Sequence, residues 1–272
     1  MNIQVNGVEF HVDVQGEGPA FVLLHGFTGS SEEWSPLIEK WKRDFRIIAI
    51  DLIGHGKSEH PIDWERYSME NTVEDINEIL DRLTIETAII LGYSLGGRVA
   101  LSYAMTYPGR VQHLILESSS PGLNLEKARV QRRTQDLQLA DRIEAEGMEA
   151  FVTYWESIPL FASQKHIPAT QRDALHSRRM NNSRIGLANS LRGMGTGEQP
   201  SLWNRLARFS VPTLLVVGEL DQKFCAIAEQ MVERLPNSRM IIVENAGHTV
   251  HLEEIEKFDK IVIEELHNRK DD

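Results

Sequence analysis

Six short apolar runs without helical periodicity recur along the chain: FVLL (21–24), RIIAI (46–50), AIIL (88–91), VQHLIL (111–116), TLLVV (213–217) and RMIIV (239–243). Runs of this length and composition predict strands buried on both faces. Helical patterns lie between most of them. In the clearest, Val73, Ile76, Ile79, Leu80 and Leu83 share one face, which predicts a helix over 68–83 with Ser68 as its N-cap. Strands alternating with helices imply a mostly parallel sheet. The N-terminal alternation of Ile3, Val5, Val8, Phe10, Val12 and Val14 about Asn6-Gly7 predicts an antiparallel hairpin at the sheet's edge.

From Pro121 to about Phe209 the strand pattern disappears. Amphipathic helical segments replace it, with expected breaks at Gly147, Pro159, Pro168, Gly186 and the run Gly193 to Gly197. The division that follows is a core of residues 1–120 and 210–272 with a helical cap, 121–209, inserted between two strands. A chain of 272 residues fits one α/β domain with such an insertion.

Charge sharpens that division. The net charge is -11, yet residues 122 to 208 carry 13 Lys and Arg against 9 Asp and Glu, so a basic insert sits on an acidic body. The overall balance argues against a surface built to neutralise nucleic-acid phosphates. No stretch approaches the roughly 18 apolar residues of a spanning helix, and MNIQVNGVEF lacks a basic segment followed by an apolar one, so a cytoplasmic protein away from the membrane is expected. Cys225 is the only cysteine, which excludes an intramolecular disulfide and suggests a packing role. Oligomeric state is not encoded in any pattern here.

The candidate chemistry begins directly after AIIL, where Gly92-Tyr93-Ser94-Leu95-Gly96 precedes a helix-compatible run. A serine flanked by glycines on a strand-turn-helix is a nucleophile elbow. Its hydroxyl needs a histidine to take its proton, and that histidine needs a carboxylate to fix its tautomer. Asp221, past TLLVV, and His248, past RMIIV, supply both in the chain order Ser, Asp, His. Glu117, also at a strand end, is the rival acid. His25-Gly26-Phe27-Thr28-Gly29 follows the second core strand, so the N–H groups of Phe27 and Leu95 are the expected oxyanion donors. The loop Asp51 to Ser58 lacks the spacing of a phosphate loop, and neither a dinucleotide motif nor a metal-ligand spacing stands out. No cofactor and no metal are expected.

Over its whole length the chain resembles the 2-succinyl-6-hydroxy-2,4-cyclohexadiene-1-carboxylate (SHCHC) synthases of menaquinone biosynthesis, on an α/β-hydrolase fold. The likeness rests on several segments: Gly92-Tyr93-Ser94-Leu95-Gly96-Gly97-Arg98; Pro121-Gly122-Leu123 followed by Arg129 and Arg132; Trp155 before Pro159-Leu160-Phe161-Ala162-Ser163; and Arg179-Met180-Asn181-Asn182. It implies a lyase that eliminates pyruvate from 2-succinyl-5-enolpyruvyl-6-hydroxy-3-cyclohexene-1-carboxylate. It further implies that Ser94, Asp221 and His248 form the triad and that Tyr93, Arg98, Arg132, Trp155 and Arg179 bind substrate. Glu117-Ser118-Ser119-Ser120 stands where the family has a Gly-rich pair. Such a substrate is a small anion with several carboxylates, which suits arginine's planar fork and a positive cap. The alternative on the same triad is a serine hydrolase of a carboxylated ester or carbon-carbon bond substrate. A non-catalytic binding protein is a further alternative, disfavoured because all three triad positions are filled.

Overall fold

Asn6 and Gly7 both adopt positive φ (46° and 80°), the geometry of a tight hairpin turn, and join β1 (Asn2–Val5) to β2 (Val8–Gln15). In this computed structural model, which describes residues 1–268, the hairpin forms one edge of an eight-stranded sheet. The remaining strands are β3 (Ala20–Leu24), β4 (Arg46–Ile50), β5 (Ala88–Tyr93), β6 (Val111–Glu117), β7 (Thr213–Gly218) and β8 (Ser238–Val243). Their order is β1-β2-β4-β3-β5-β6-β7-β8. β2 pairs antiparallel with β1 and β4, and every other pairing is parallel.

Each apolar run thus becomes a strand, but the expectation of burial on both faces fails at β8. This strand is the far edge, and Ile242 on it is 44% exposed. The interior strands β3, β5 and β7 are buried almost throughout, as parallel strands covered by helices must be.

The helices are α1 (Ser35–Trp41), α2 (Met69–Arg82), α3 (Leu95–Thr106), α4 (Glu126–Ser157), α5 (Ala169–Met180), α6 (Arg184–Met194), α7 (Gln222–Val232), α8 (Val250–Glu253) and α9 (Ile255–Asn268). The Ser68 hydroxyl accepts a hydrogen bond from the Asn71 N–H, capping α2 as its sequence predicts. One core cluster joins α2, α3 and α7 to one face of the sheet; a second joins α1 and α9 to the other.

Between β6 and β7 the chain is helical. α4 is interrupted at Gly147, whose φ of 83° lies in the left-handed region, and Pro168 sits at the start of α5, both where breaks are predicted. Gly186 departs from expectation, because it lies inside the first turn of α6. The chain breaks before it, at Ser183, whose hydroxyl accepts from the Gly186 N–H. The glycine serves a close contact instead: a Cβ there would stand 2.1 Å from the Gly54 carbonyl oxygen. α4 and α6 enclose their own small apolar cluster around Ile143, Phe151 and Leu187. No helix among the described residues is long and apolar enough to cross a membrane.

Candidate active site

β5 runs into α3 through Ser94, whose φ of 49° and ψ of -106° fall in a region that costs a non-glycine residue strain. The flanking glycines make this turn possible. A Cβ on Gly96 would lie 2.2 Å from the Leu24 carbonyl oxygen, and one on Gly92 would lie 2.3 Å from that of Gly96. The turn is pinned from the neighbouring strand, where the Glu117 carbonyl accepts the Ser94 N–H at 2.9 Å.

The hydroxyl so presented lies 3.0 Å from His248 Nε2, and His248 Nδ1 lies 2.6 Å from Asp221 Oδ2. Asp221 is held in turn, since its Oδ1 accepts the Phe224 N–H at the start of α7. With its Nδ1–H donated to a carboxylate, the imidazole leaves Nε2 free to accept from the serine. The ring is 1% exposed, walled by Phe224 and Tyr93 with centroids at 4.6 and 5.4 Å.

Glu117, the rival acid, is occupied elsewhere. Its buried carboxylate accepts from the His251 N–H and meets His251 Nδ1 at 2.8 Å. Burial opposes a charge on His251, but the charge and hydrogen bond of Glu117 outweigh it and raise its pKa above the ordinary 6.5. A raised folded-state pKa contributes stability that is fully present below pH 6.5 and is lost as pH rises through the folded value. Urea denaturation from pH 6 to 9 is therefore expected to show stability falling with pH. Glu117→Gln should flatten that slope, and an equal slope in the variant would contradict the pairing.

A cavity of about 440 Å³ opens onto Ser94 and His248. Phe27 and Leu95 line it, and neither N–H donates to a protein acceptor among the described residues. His25 sets the Phe27 loop: its Nδ1–H donates to the Gly26 carbonyl while Nε2 accepts the Leu52 N–H.

Four of the five expected substrate-binding residues, Tyr93, Arg98, Arg132 and Trp155, also line the cavity. Arg98 follows Ser94 by one helical turn, and its N–H donates to the Ser94 carbonyl. Arg98 is 9% exposed, and its guanidinium donates to the Met194 carbonyl and Gln199 Oε1, but to no carboxylate among the described residues. Burial, and then the charge of Arg132, pull its pKa down to about 10. Arg132 donates to Asp136 at 2.7 Å. Trp155 packs on Phe27, and its indole N–H is buried without a partner. The Tyr93 hydroxyl is already engaged, 3.0 Å from Thr249 Oγ1, and burial raises its pKa well above the ordinary tyrosine value.

Arg179 is the exception, because it stands outside this cavity. It donates to Glu156 Oε1 at 3.1 Å and stacks 5.0 Å from the Phe161 ring centroid, so its charge is balanced by α4 before any ligand arrives. It reaches the site indirectly: Arg179 donates to Gln164 Oε1, and Gln164 Nε2 donates to Thr249 Oγ1, beside His248.

Gln164 and Thr249 carry no motif, so nothing in the sequence points to them. Lys223, also absent from the sequence-based expectations, lines the cavity from the first turn of α7. Its one signal was proximity to Asp221 in the chain. Cys225 takes the packing role expected of it, its thiol donating to the Gly218 carbonyl at 3.3 Å.

Residues 19–255 match the model of the α/β hydrolase fold family. The chain is 49% identical over 269 residues to a putative 2-succinyl-6-hydroxy-2,4-cyclohexadiene-1-carboxylate synthase of Bacillus subtilis strain 168, covering 98% of each. The synthase of that name from Salmonella paratyphi B is 34% identical over 244 residues, spanning 89% of this chain and 92% of the relative. Among solved structures, MenH from S. aureus superposes with a TM-score of 0.91 at 36% identity, covering 96% of this chain and 98% of that one.

Proposed function

Because the chain belongs to the SHCHC synthases of the α/β hydrolase fold family, we propose that it eliminates pyruvate from 2-succinyl-5-enolpyruvyl-6-hydroxy-3-cyclohexene-1-carboxylate, a step of menaquinone biosynthesis. The product is 2-succinyl-6-hydroxy-2,4-cyclohexadiene-1-carboxylate. The observation that carries this reading beyond the fold is Arg98. A guanidinium buried one helical turn from Ser94, without a carboxylate partner among the described residues, fits an anionic substrate and has no use for a neutral ester.

In the mechanism Ser94 acts as a base. As its Oγ takes the ring proton, its own proton passes to His248 Nε2, and Asp221 stabilises the imidazolium. The C–H electron pair moves into the adjoining system, giving enolate character that the N–H groups of Phe27 and Leu95 stabilise at the succinyl carbonyl oxygen. That pair then forms the 2,3 double bond, the ring's 3,4 double bond shifts to 4,5, and the C5–O bond to the enolpyruvyl group breaks. The departing enolpyruvate takes the proton that His248 holds and becomes pyruvate, which leaves His248 neutral and Ser94 protonated as at the start. Arg98, Arg132 and the Trp155 N–H hold the substrate's polar groups. Arg179 acts by positioning Gln164 and Thr249. Residues 121–209 form the cap that closes over the site, and the cytoplasm is where the reaction takes place.

A base forms no bond to carbon, so no covalent adduct should accumulate. Intact-protein mass spectrometry during rapid-quench turnover is expected to show only the unmodified chain. A mass increase on Ser94 of the size of the substrate or a succinyl group would instead support a hydrolase acting through an acyl-enzyme.

A further inference from the structure

We propose that Lys223 joins Arg98 and Arg132 in one anion subsite that holds a substrate carboxylate, an inference that rests on the function proposed above. The three cations come from three elements, α7, α3 and α4, and all line the cavity that holds Ser94 and His248. Arg132 is the common neighbour. Its charge lowers the pKa of Arg98 and, after desolvation, is the second cause lowering that of Lys223.

The carboxylates nearby are already committed. Asp136 takes Arg132 Nε on one oxygen and the Gly197 N–H on the other. Asp221 attracts Lys223, but its oxygens accept from His248 and from the Phe224 N–H. Lys223 itself makes no ion pair among the described residues; its ammonium lies 5.3 Å from the Phe224 ring centroid. Arg179, by contrast, has Glu156. Like charges gathered in a cavity repel one another, and a carboxylate placed among them relieves that repulsion. Since Lys223 belongs to the core and Arg132 to the insert, the same carboxylate ties the two together across the cavity. Lys223 is thus a third cation beside Arg98 and Arg132, the part that the family resemblance gives to Arg179; Arg234, which also lines the cavity, pairs with Glu233 and lies over the Trp203 ring.

A charge series at this exposed position tests the proposal. With the enolpyruvyl cyclohexene substrate, Lys223→Met should lower kcat/KM about 10-fold, mainly through KM, and Lys223→Glu about 100-fold. Lys223→Arg should stay within about 3-fold of the unsubstituted enzyme, because it keeps the charge. The salt dependence of kcat/KM should be shallower for Lys223→Met, a readout that a purely structural lysine would not move. Melting temperatures should agree within about 2 °C, as expected for an exposed helix position. Values of kcat/KM for Lys223→Met and Lys223→Glu within twofold of the unsubstituted enzyme would overturn the subsite. So would an Arg variant as impaired as the Met variant. Pyruvate release by the unsubstituted enzyme, measured alongside, separates the two levels. Its absence removes the proposed reaction itself, whereas its presence with an unresponsive charge series removes only Lys223.

Discussion

Ser94→Ala, His248→Ala and Asp221→Asn are each expected to lower kcat by about a thousand-fold or more while the chain remains folded. The three side chains form one line of hydrogen bonds, at 3.0 Å between Ser94 and His248 and 2.6 Å between His248 and Asp221. Removing the serine removes the base. Removing the histidine leaves that base with nowhere to pass its own proton. Asp221→Asn preserves size but replaces an acceptor by an amide, which favours the imidazole tautomer that cannot accept from Ser94. Because the residues act as a unit, their effects should not add. Ser94→Ala/His248→Ala should be about as slow as the worse single variant, and a double variant slowed by the product of the two factors would contradict a shared proton-transfer unit. Far-ultraviolet circular dichroism of each variant separates loss of chemistry from loss of fold.

Arg98→Ala is expected to cost about 2 to 5 kcal/mol in kcat/KM, the range for leaving a desolvated carboxylate without its partner. Arg98→Lys should recover only part of this, since an ammonium cannot form the two parallel hydrogen bonds of the guanidinium fork. The control is Arg142→Ala. Arg142 pairs with Glu146 in a half-exposed contact on α4 and lies over the Tyr154 ring, so its loss should cost under about 1 kcal/mol. Arg98 also donates to the Met194 carbonyl at the end of α6, so Arg98→Ala should lower the melting temperature as well. The kinetic loss must therefore be measured at a temperature where every variant is folded. Near-unchanged kcat/KM for folded Arg98→Ala would remove this residue from carboxylate binding.

How much of the site was legible in the sequence depended on how locally each part is encoded. The strands and the hydrogen-bonded set of Ser94, Asp221 and His248 were readable because each lies within one short stretch: an apolar run, then a turn of small residues carrying a polar side chain. Ser94 needs Gly92 and Gly96 near it, and all three lie within five consecutive residues. The loop that brings Phe27 to the cavity was readable on the same grounds. Arg98 and Arg132 do line the cavity, but the places of Arg179 and Lys223 were not legible, because they depend on which charges the fold brings next to each cation. Arg179 and Arg132 look alike as letters. Yet Arg179, which meets Glu156 23 residues away on α4, stands outside the cavity, whereas Arg132, which pairs with Asp136 on its own helix, lines it with Arg98. Lys223 acquires its surroundings only when α7 and α4 line the same cavity. Gly186 was misread for a related reason. A glycine reads locally as a helix end, but here its missing Cβ makes room for Gly54, a contact with a distant segment.

Elimination of pyruvate by proton abstraction is tested by following both products of the reaction at once. Purified protein is mixed with 2-succinyl-5-enolpyruvyl-6-hydroxy-3-cyclohexene-1-carboxylate, and pyruvate release and the absorbance of the conjugated diene product are followed together in time. Both should rise at one rate, in equal amounts, and Ser94→Ala should suppress both alike. A substrate left unchanged by the unsubstituted enzyme, or consumed with water added and no diene formed, would contradict this elimination.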